Sequence, residues 1–140
     1  MIMLPPVKEL QRIFTEMKII AVVGLSPKEN RPSHQVARYL LQAGYTIIPV
    51  NPGQEEILGR KCYPDLLSIE GPVEVVDIFR RADQVEPVVR DAIAVGARVI
   101  WMQQGIVNER VAALADAAGL TVIMDRCMKV DHMQFGGRGL

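Results

Sequence analysis

The chain has 140 residues, 49% of them hydrophobic, 23% charged and 5% aromatic, with 16 lysines and arginines against 16 aspartates and glutamates. That length and composition describe one globular domain, residues 1–140, large enough to bury a core without staples. Zero formal net charge excludes the broad basic face that nucleic acid or an anionic membrane demands of a partner, and leaves room for a small basic pocket.

Residues 1–17 read as an N-terminal helical segment: Val7 to Met17 follows two prolines and places Val7, Leu10, Ile13, Phe14 and Met17 at helical spacing. Lys18 to Gly24 is an almost continuous apolar run ending in glycine, the pattern of a strand buried on both faces of a parallel sheet. Pro32 to Ala43 is helical, with Gly44 as its stop, and Tyr45 to Val50 is a second strand closed by Asn51-Pro52-Gly53. Between Val50 and Val75 no long amphipathic helix occurs, only a short extended piece at Ile57–Tyr63 and one helical turn at Pro64–Ile69. Val75 to Phe79 is a third strand, Gln84 to Val95 a helix, Val99 to Met102 a fourth strand, Val107 to Ala118 a helix and Leu120 to Met124 a fifth strand. The tail from Met128 to Leu140 lacks periodicity and holds three glycines, so 128–140 is expected as coil, frayed beyond Phe135. This alternation implies an α/β fold: a doubly wound, parallel, five-stranded Rossmann-like sheet with helices on both faces. Strand order 3-2-1-4-5 is expected from right-handed crossovers.

Ligands of such sheets bind beyond the carboxyl ends of the strands, where strand order reverses. The first strand-to-helix turn, Gly24 to Ser33, is therefore the leading site. Gly24 permits a tight turn, Asn30 can cap the following helix, Pro32 suits its first turn, and Ser33 offers a hydroxyl beside free N–H groups. A helix N-terminus attracts phosphate, and Lys28 and Arg31 add charge there. Arg80 and Arg81 follow the third strand and Arg126 the fifth, which brings the expected cations on this edge to five. Phe79 and Met102 at strand ends suit the flanks of an adenine ring, or simple core packing.

The dinucleotide fingerprint is missing: Ser26 and Glu29 stand where G-x-G-x-x-G needs glycines, and Asn51 replaces the acidic residue that would accept a ribose hydroxyl. His34 and His132 have no metal-ligand spacing, and Cys62 and Cys127 form no C-x-x-C. The cysteines are expected as reduced thiols of a soluble, cytoplasmic protein, since no signal segment or bilayer-length apolar run is present. Trp101 is expected in the core. Asp77 is expected either buried and hydrogen-bonded or at the solvent edge. No catalytic constellation is found, so no enzymatic activity is expected.

Five ordered motifs carry a resemblance. Ala21 to Leu40 (AVVGLSPKENRPSHQVARYL), Gly44-Tyr45 with Pro49 to Pro52, Val76 to Arg80 (VDIFR), Val99 to Gly105 (VIWMQQG) and Met124 to Cys127 (MDRC) resemble the small stand-alone CoA-binding domain proteins. The resemblance covers about residues 7 to 135. It implies the Rossmann-like module also found at the start of the succinyl-CoA synthetase α subunit, with coenzyme A or an acyl-CoA as cofactor. It implies that Gly24, Ser26, Arg31, Pro32 and Ser33 hold the diphosphate region, that Asn51 and Pro52 border the nucleotide, and that Lys28 or Arg80 lies near its charged groups. Phe79, Met102, Gln103 and Gly105 would line the adenine and pantetheine side. The synthetase also uses a phosphorylatable histidine from a following domain and a partner subunit. Neither His34 nor His132 sits in such a context, so ligase activity is not carried over.

The leading expectation is thus a non-catalytic CoA or acyl-CoA binder. Two alternatives stand beside it: an NAD(P)-binding oxidoreductase or regulatory subunit, favoured by fold alone, and a CoA-linked thiol redox protein using Cys127. A protein partner or a homo-oligomer is compatible with either.

Overall fold

The computed structural model describes residues 5–136, and the expectations for 1–4 and 137–140 lie outside them. In chain order the elements are α1 (Val7–Glu16), β1 (Ile19–Val23), α2 (Pro32–Gln42), β2 (Thr46–Val50), β3 (Glu56–Ile57), β4 (Arg60–Lys61), β5 (Val75–Ile78), α3 (Val85–Ala94), β6 (Val99–Met102), α4 (Glu109–Ala117), β7 (Thr121–Ile123) and α5 (Met128–Phe135). Short 3-10 turns stand at Leu66–Ser68 and Ala82–Gln84.

Five parallel strands form the main sheet in the order β2-β1-β5-β6-β7. The class is the one expected, but the strand order corrects the expectation. Counting the five main strands alone, it runs 2-1-3-4-5 rather than 3-2-1-4-5. The reason lies at the outer side of β2. Tyr63 forms a parallel bridge to Val50, its N–H donates to the Pro49 carbonyl (3.0 Å), and its carbonyl accepts from the Asn51 N–H (2.9 Å). The third main strand therefore cannot pair there, and it enters on the far side of β1. Pro49 carries the same message, because a strand residue without an N–H belongs on a sheet edge, and 3-2-1-4-5 would have placed β2 inside.

Side chains alternate between two cores. Ile20, Val22, Val75, Val99 and Trp101 point to the layer of α1, α2 and α5, where they meet Leu10, Ile13, Phe14, Leu40 and Met128. Ala21, Val23, Val76, Ile78, Ile100 and Met102 point to the opposite layer, against Val85 and Val89 of α3, Val111 and Ala115 of α4, and Leu66 of the 3-10 turn. The long β2-to-β5 connection thus crosses on the α3 face, as a right-handed crossover moving past β1 must. The 3-10 turn stands on that face in place of a helix, while the β3–β4 hairpin packs Ile57 into the first core.

The expected C-terminal coil is in fact a helix, α5, over Met128–Phe135. Its apolar residues form no continuous stripe, so the sequence pattern does not announce it. The helix is held by what surrounds it: Met128 is buried in the first core, and the His132 ring packs edge-on against Phe14, Tyr39 and Tyr45. No described helix is long and apolar enough to cross a membrane.

Candidate functional site

Strand order reverses between β1 and β5, where the crossovers leave in opposite directions, and Gly24 stands at that point. Gly24 has φ +87°, and a Cβ built on it would lie 2.2 Å from the carbonyl oxygen of Phe79. No other residue fits so tight a passage between the ends of two neighbouring strands. The Gly24 N–H donates to the Val50 carbonyl (2.9 Å) and the Phe79 N–H to the Val23 carbonyl (2.8 Å), so three strand ends converge on one turn.

Beyond Gly24 the loop is braced by its own side chains. Ser33 Oγ accepts from the Ser26 N–H (2.9 Å), Ser26 Oγ accepts from the Lys28 N–H (3.1 Å), and His34 Nδ1 donates to the Ser26 carbonyl (2.9 Å). Asn51, at the end of β2, donates from Nδ2 to the Leu25 carbonyl (2.7 Å), tying the second strand to the same loop. Ser33 and His34 are both buried. The hydroxyl of Ser33 therefore acts first as a staple of the loop.

Asn30 does not cap α2. Arg31 occupies the N-cap position in extended conformation, no side chain caps the helix, and Pro32 follows in its first turn. The N-terminal turn of α2, which carries the helix's partial positive charge, thus has no side-chain cap. Of the five expected cations, two are neutralised nearby: Arg81 by Asp83 at 3.3 Å, and Arg126 by Asp131 at 2.6 Å. Lys28, Arg31 and Arg80 form no ion pair among the described residues. Lys28 and Arg31 are exposed and Arg80 is half-buried. Arg80 also lines a cavity of about 90 Å³ with Val23, Val50, Leu66 and the carboxylates Asp65 and Asp91, opening beside the ends of β1 and β2.

The structure separates the other expected residues. Phe79 is half-buried against Gly24, and Pro52 is exposed beyond Asn51. Met102 is 0% exposed and belongs to the core under α3 and α4, so it does not present a surface at the ligand edge. Gln103 is buried as well, and its amide joins Asp77 to the start of α5. Gly105 sits in the next turn, its N–H donating to Asp125 Oδ1 (2.7 Å). Asp125 itself adopts a left-handed φ of +60°, which short polar side chains tolerate better than most.

Three features escaped the residue pattern: the His34 brace, the Asp77–Gln103 contact, and the burial of Cys62, whose thiol donates to the Asn51 carbonyl (3.4 Å). A histidine two residues into a helix beside a phosphate-type turn was a usable signal for the first. The other two join residues 26 and 11 positions apart, which no local pattern reveals. Burial pushes the Cys62 thiol up, only partly offset by its hydrogen bond to Asn51. Cys127 is half-buried at the start of α5, and both thiols are free.

Comparison with known proteins gives the arrangement its relatives. A Bacillus subtilis (strain 168) protein, the uncharacterized protein YneT, is 44% identical over 128 residues, which is 91% of this chain and 95% of that protein. The ADP-forming acetate–CoA ligase I of Archaeoglobus fulgidus is 26% identical over 129 residues, spanning 85% of this chain but 19% of the ligase. Among solved structures, a hypothetical protein from Pyrococcus horikoshii OT3 superposes with a TM-score of 0.92 at 42% identity, covering 95% of this chain and 94% of that one. The dinucleotide-forming acetyl-coenzyme A synthetase 1 of Ca. Korarchaeum cryptofilum, in complex with phosphate and ADP, superposes with a TM-score of 0.72 at 28% identity over 83% of this chain and 27% of that one. Residues 18–133 match the CoA binding domain family. That match spans β1 through most of α5, and the chain belongs to the CoA-binding domain family.

Proposed function

We propose that this protein binds coenzyme A or an acyl-CoA across the carboxyl edge of its sheet and catalyses no reaction of its own. The observation that carries the reading is the Gly24–Ser33 turn: braced, seated where strand order reverses, and flanked by Lys28, Arg31 and Arg80, which form no ion pair among the described residues. A diphosphate there would meet the open first turn of α2 and the Lys28 and Arg31 side chains. Asn51 and Pro52 would border the nucleotide and Arg80 its further charge. Phe79 and Gly105 would flank the remainder, with Met102 and Gln103 supporting that surface from beneath. The polar side chains of the turn support a holding role, because Ser26, Ser33, His34 and Asn51 each hydrogen-bond the loop backbone. Titration calorimetry with CoA, dephospho-CoA and NADH tests the reading. CoA is expected to bind and to resist competition by NADH. Absence of binding by both CoA and dephospho-CoA would refute it, and NADH binding that CoA does not displace would favour the oxidoreductase alternative.

A second reading is favoured by the contrast between the two thiols, Cys62 buried and Cys127 half-buried beside Arg126 at the ligand edge. The Cys127 thiolate would attack CoA disulfide, forming a mixed protein–CoA disulfide and releasing one CoA thiol. Intact-mass spectrometry after that treatment decides it: an adduct lost in Cys127→Ser and kept in Cys62→Ser supports the reading, and no adduct removes it.

A further inference from the structure

α5 is the element whose own residues explain its position least, since no side chain caps it and its apolar residues form no single stripe. What meets its first turn is Gln103. The Met128 N–H donates to Gln103 Oε1 (3.4 Å), while Gln103 Nε2 donates to Asp77 Oδ1 (2.5 Å). Gln103 thus reaches from the middle of the sheet to the helix, and one amide orientation alone serves both contacts: oxygen toward Met128, NH₂ toward Asp77. The Met128 N–H, which can only donate, fixes that orientation and leaves the amide NH₂ for Asp77. Asp77 is 0% exposed, in the centre of the sheet between Val22 and Trp101, and its Oδ2 has no hydrogen-bond partner among the described residues.

We propose that Asp77 and Gln103 form a proton-linked latch that holds the first turn of α5 against the carboxyl edge of the sheet, the closed latch carrying a proton on Asp77 that is lost when the turn opens.

A buried carboxyl with one unpartnered oxygen is better neutral than charged. Burial pushes the Asp77 carboxyl up from 3.8 to about 7, against the lowering effect of the Gln103 hydrogen bond. The ionisable groups that the covering elements turn toward this layer do not supply a counter-charge. On α2, His34 is bonded to the Ser26 carbonyl, and Tyr39 is bonded to His132 of α5. Asp131 of α5 is paired with Arg126, and Tyr45 donates to the Phe14 carbonyl on α1. When the turn opens and water reaches Asp77, its carboxyl returns toward its ordinary range. The closed state therefore holds the extra proton between those two values. Opening grows about tenfold per pH unit across that window and levels off above it.

The test uses the free, full-length protein, so its outcome is separate from that of the CoA reading. Amide hydrogen exchange is followed from about pH 5 to 8 at Met128 and at a buried β1 amide such as Val22, corrected for intrinsic exchange. Met128 protection is expected to fall about tenfold per pH unit up to about pH 7 and then to flatten, at a lower overall level than Val22. Asp77→Asn is expected to make Met128 protection independent of pH, and Gln103→Met to lower Met128 protection across the whole range. Protection at Met128 that does not vary with pH in the unmodified protein overturns the latch. So does a single protection factor and slope shared by Met128 and Val22, which would assign the proton to global unfolding alone. If Asp77→Asn does not fold, the unmodified pH series and Gln103→Met still decide the matter.

Discussion

The carbonyl oxygen of Phe79 occupies the space into which any side chain at position 24 would project, 2.2 Å from where a Cβ would stand. That contact joins the first strand to the third main strand at the point where the crossovers diverge, and it makes the turn that follows β1 inseparable from the strand order. A different order would bring another strand end against Gly24. The contact also explains how a phosphate-type turn is kept rigid without the glycine-rich fingerprint, since sterics at one position and side-chain braces at four others do the same job.

Gly24→Ala is expected to be among the most damaging single substitutions. It combines a left-handed φ of +87° with a backbone clash, and a cost of about 2–4 kcal/mol follows from strain and displaced packing. Urea denaturation monitored by Trp101 fluorescence measures it. A loss below about 0.5 kcal/mol would show that the turn relaxes freely.

Ser33→Ala leaves the Ser26 N–H without its acceptor. A destabilisation of about 1 kcal/mol is expected, with a larger proportional loss of CoA affinity than of stability, because the loop loses its preorganised shape. Calorimetry and denaturation on the same variant separate the two effects.

Arg31→Ala is expected to weaken CoA binding roughly tenfold, corresponding to about 1.5 kcal/mol for a charge-assisted contact, while leaving stability unchanged. The salt dependence of binding should also become shallower. Affinity unaltered at low ionic strength would remove Arg31 from the site.

The Asp77 carboxyl makes a prediction for global stability. Its folded value, about 7, lies above the ordinary 3.8. The contribution is therefore fully present below about pH 4 and is lost as pH rises toward 7, by roughly 4 kcal/mol as an upper bound. Asp77→Asn is expected to flatten the urea-derived stability profile between those limits. A variant whose profile keeps the original slope would assign the slope to other groups.

Asp131→Ala strands the Arg126 guanidinium at the start of α5, where Arg126 keeps 24% of its side-chain exposure and Asp131 keeps 4%. The loss is expected to be about 2 kcal/mol, less than for a fully enclosed pair because Arg126 retains some water. The Trp101 indole, which donates to the Arg126 carbonyl at 2.8 Å, should report the loosening as a red-shifted emission.

The residue pattern determined the alternation of strands and helices, the parallel sheet, the two-faced core and the location of the principal turn after β1. Those properties come from local periodicity and from glycine at strand and helix ends, and both are written in neighbouring residues. Tertiary structure decided the rest. Strand order turned on Tyr63 taking the outer side of β2, a non-local hydrogen-bond choice that Pro49 only hinted at. α5 formed because Phe14, Tyr39, Tyr45 and Gln103 together built a seat for it, although its own residues carry no amphipathic stripe. Met102 and Phe79, both at strand ends, were separated into core and edge by which face of the sheet each side chain met. The cations at the ligand edge were sorted by the carboxylates that folding brought beside two of them, leaving Lys28, Arg31 and Arg80 without an ion pair among the described residues. Charge pairing and burial depend on distances through space, and those exist only once the sheet has closed around its order.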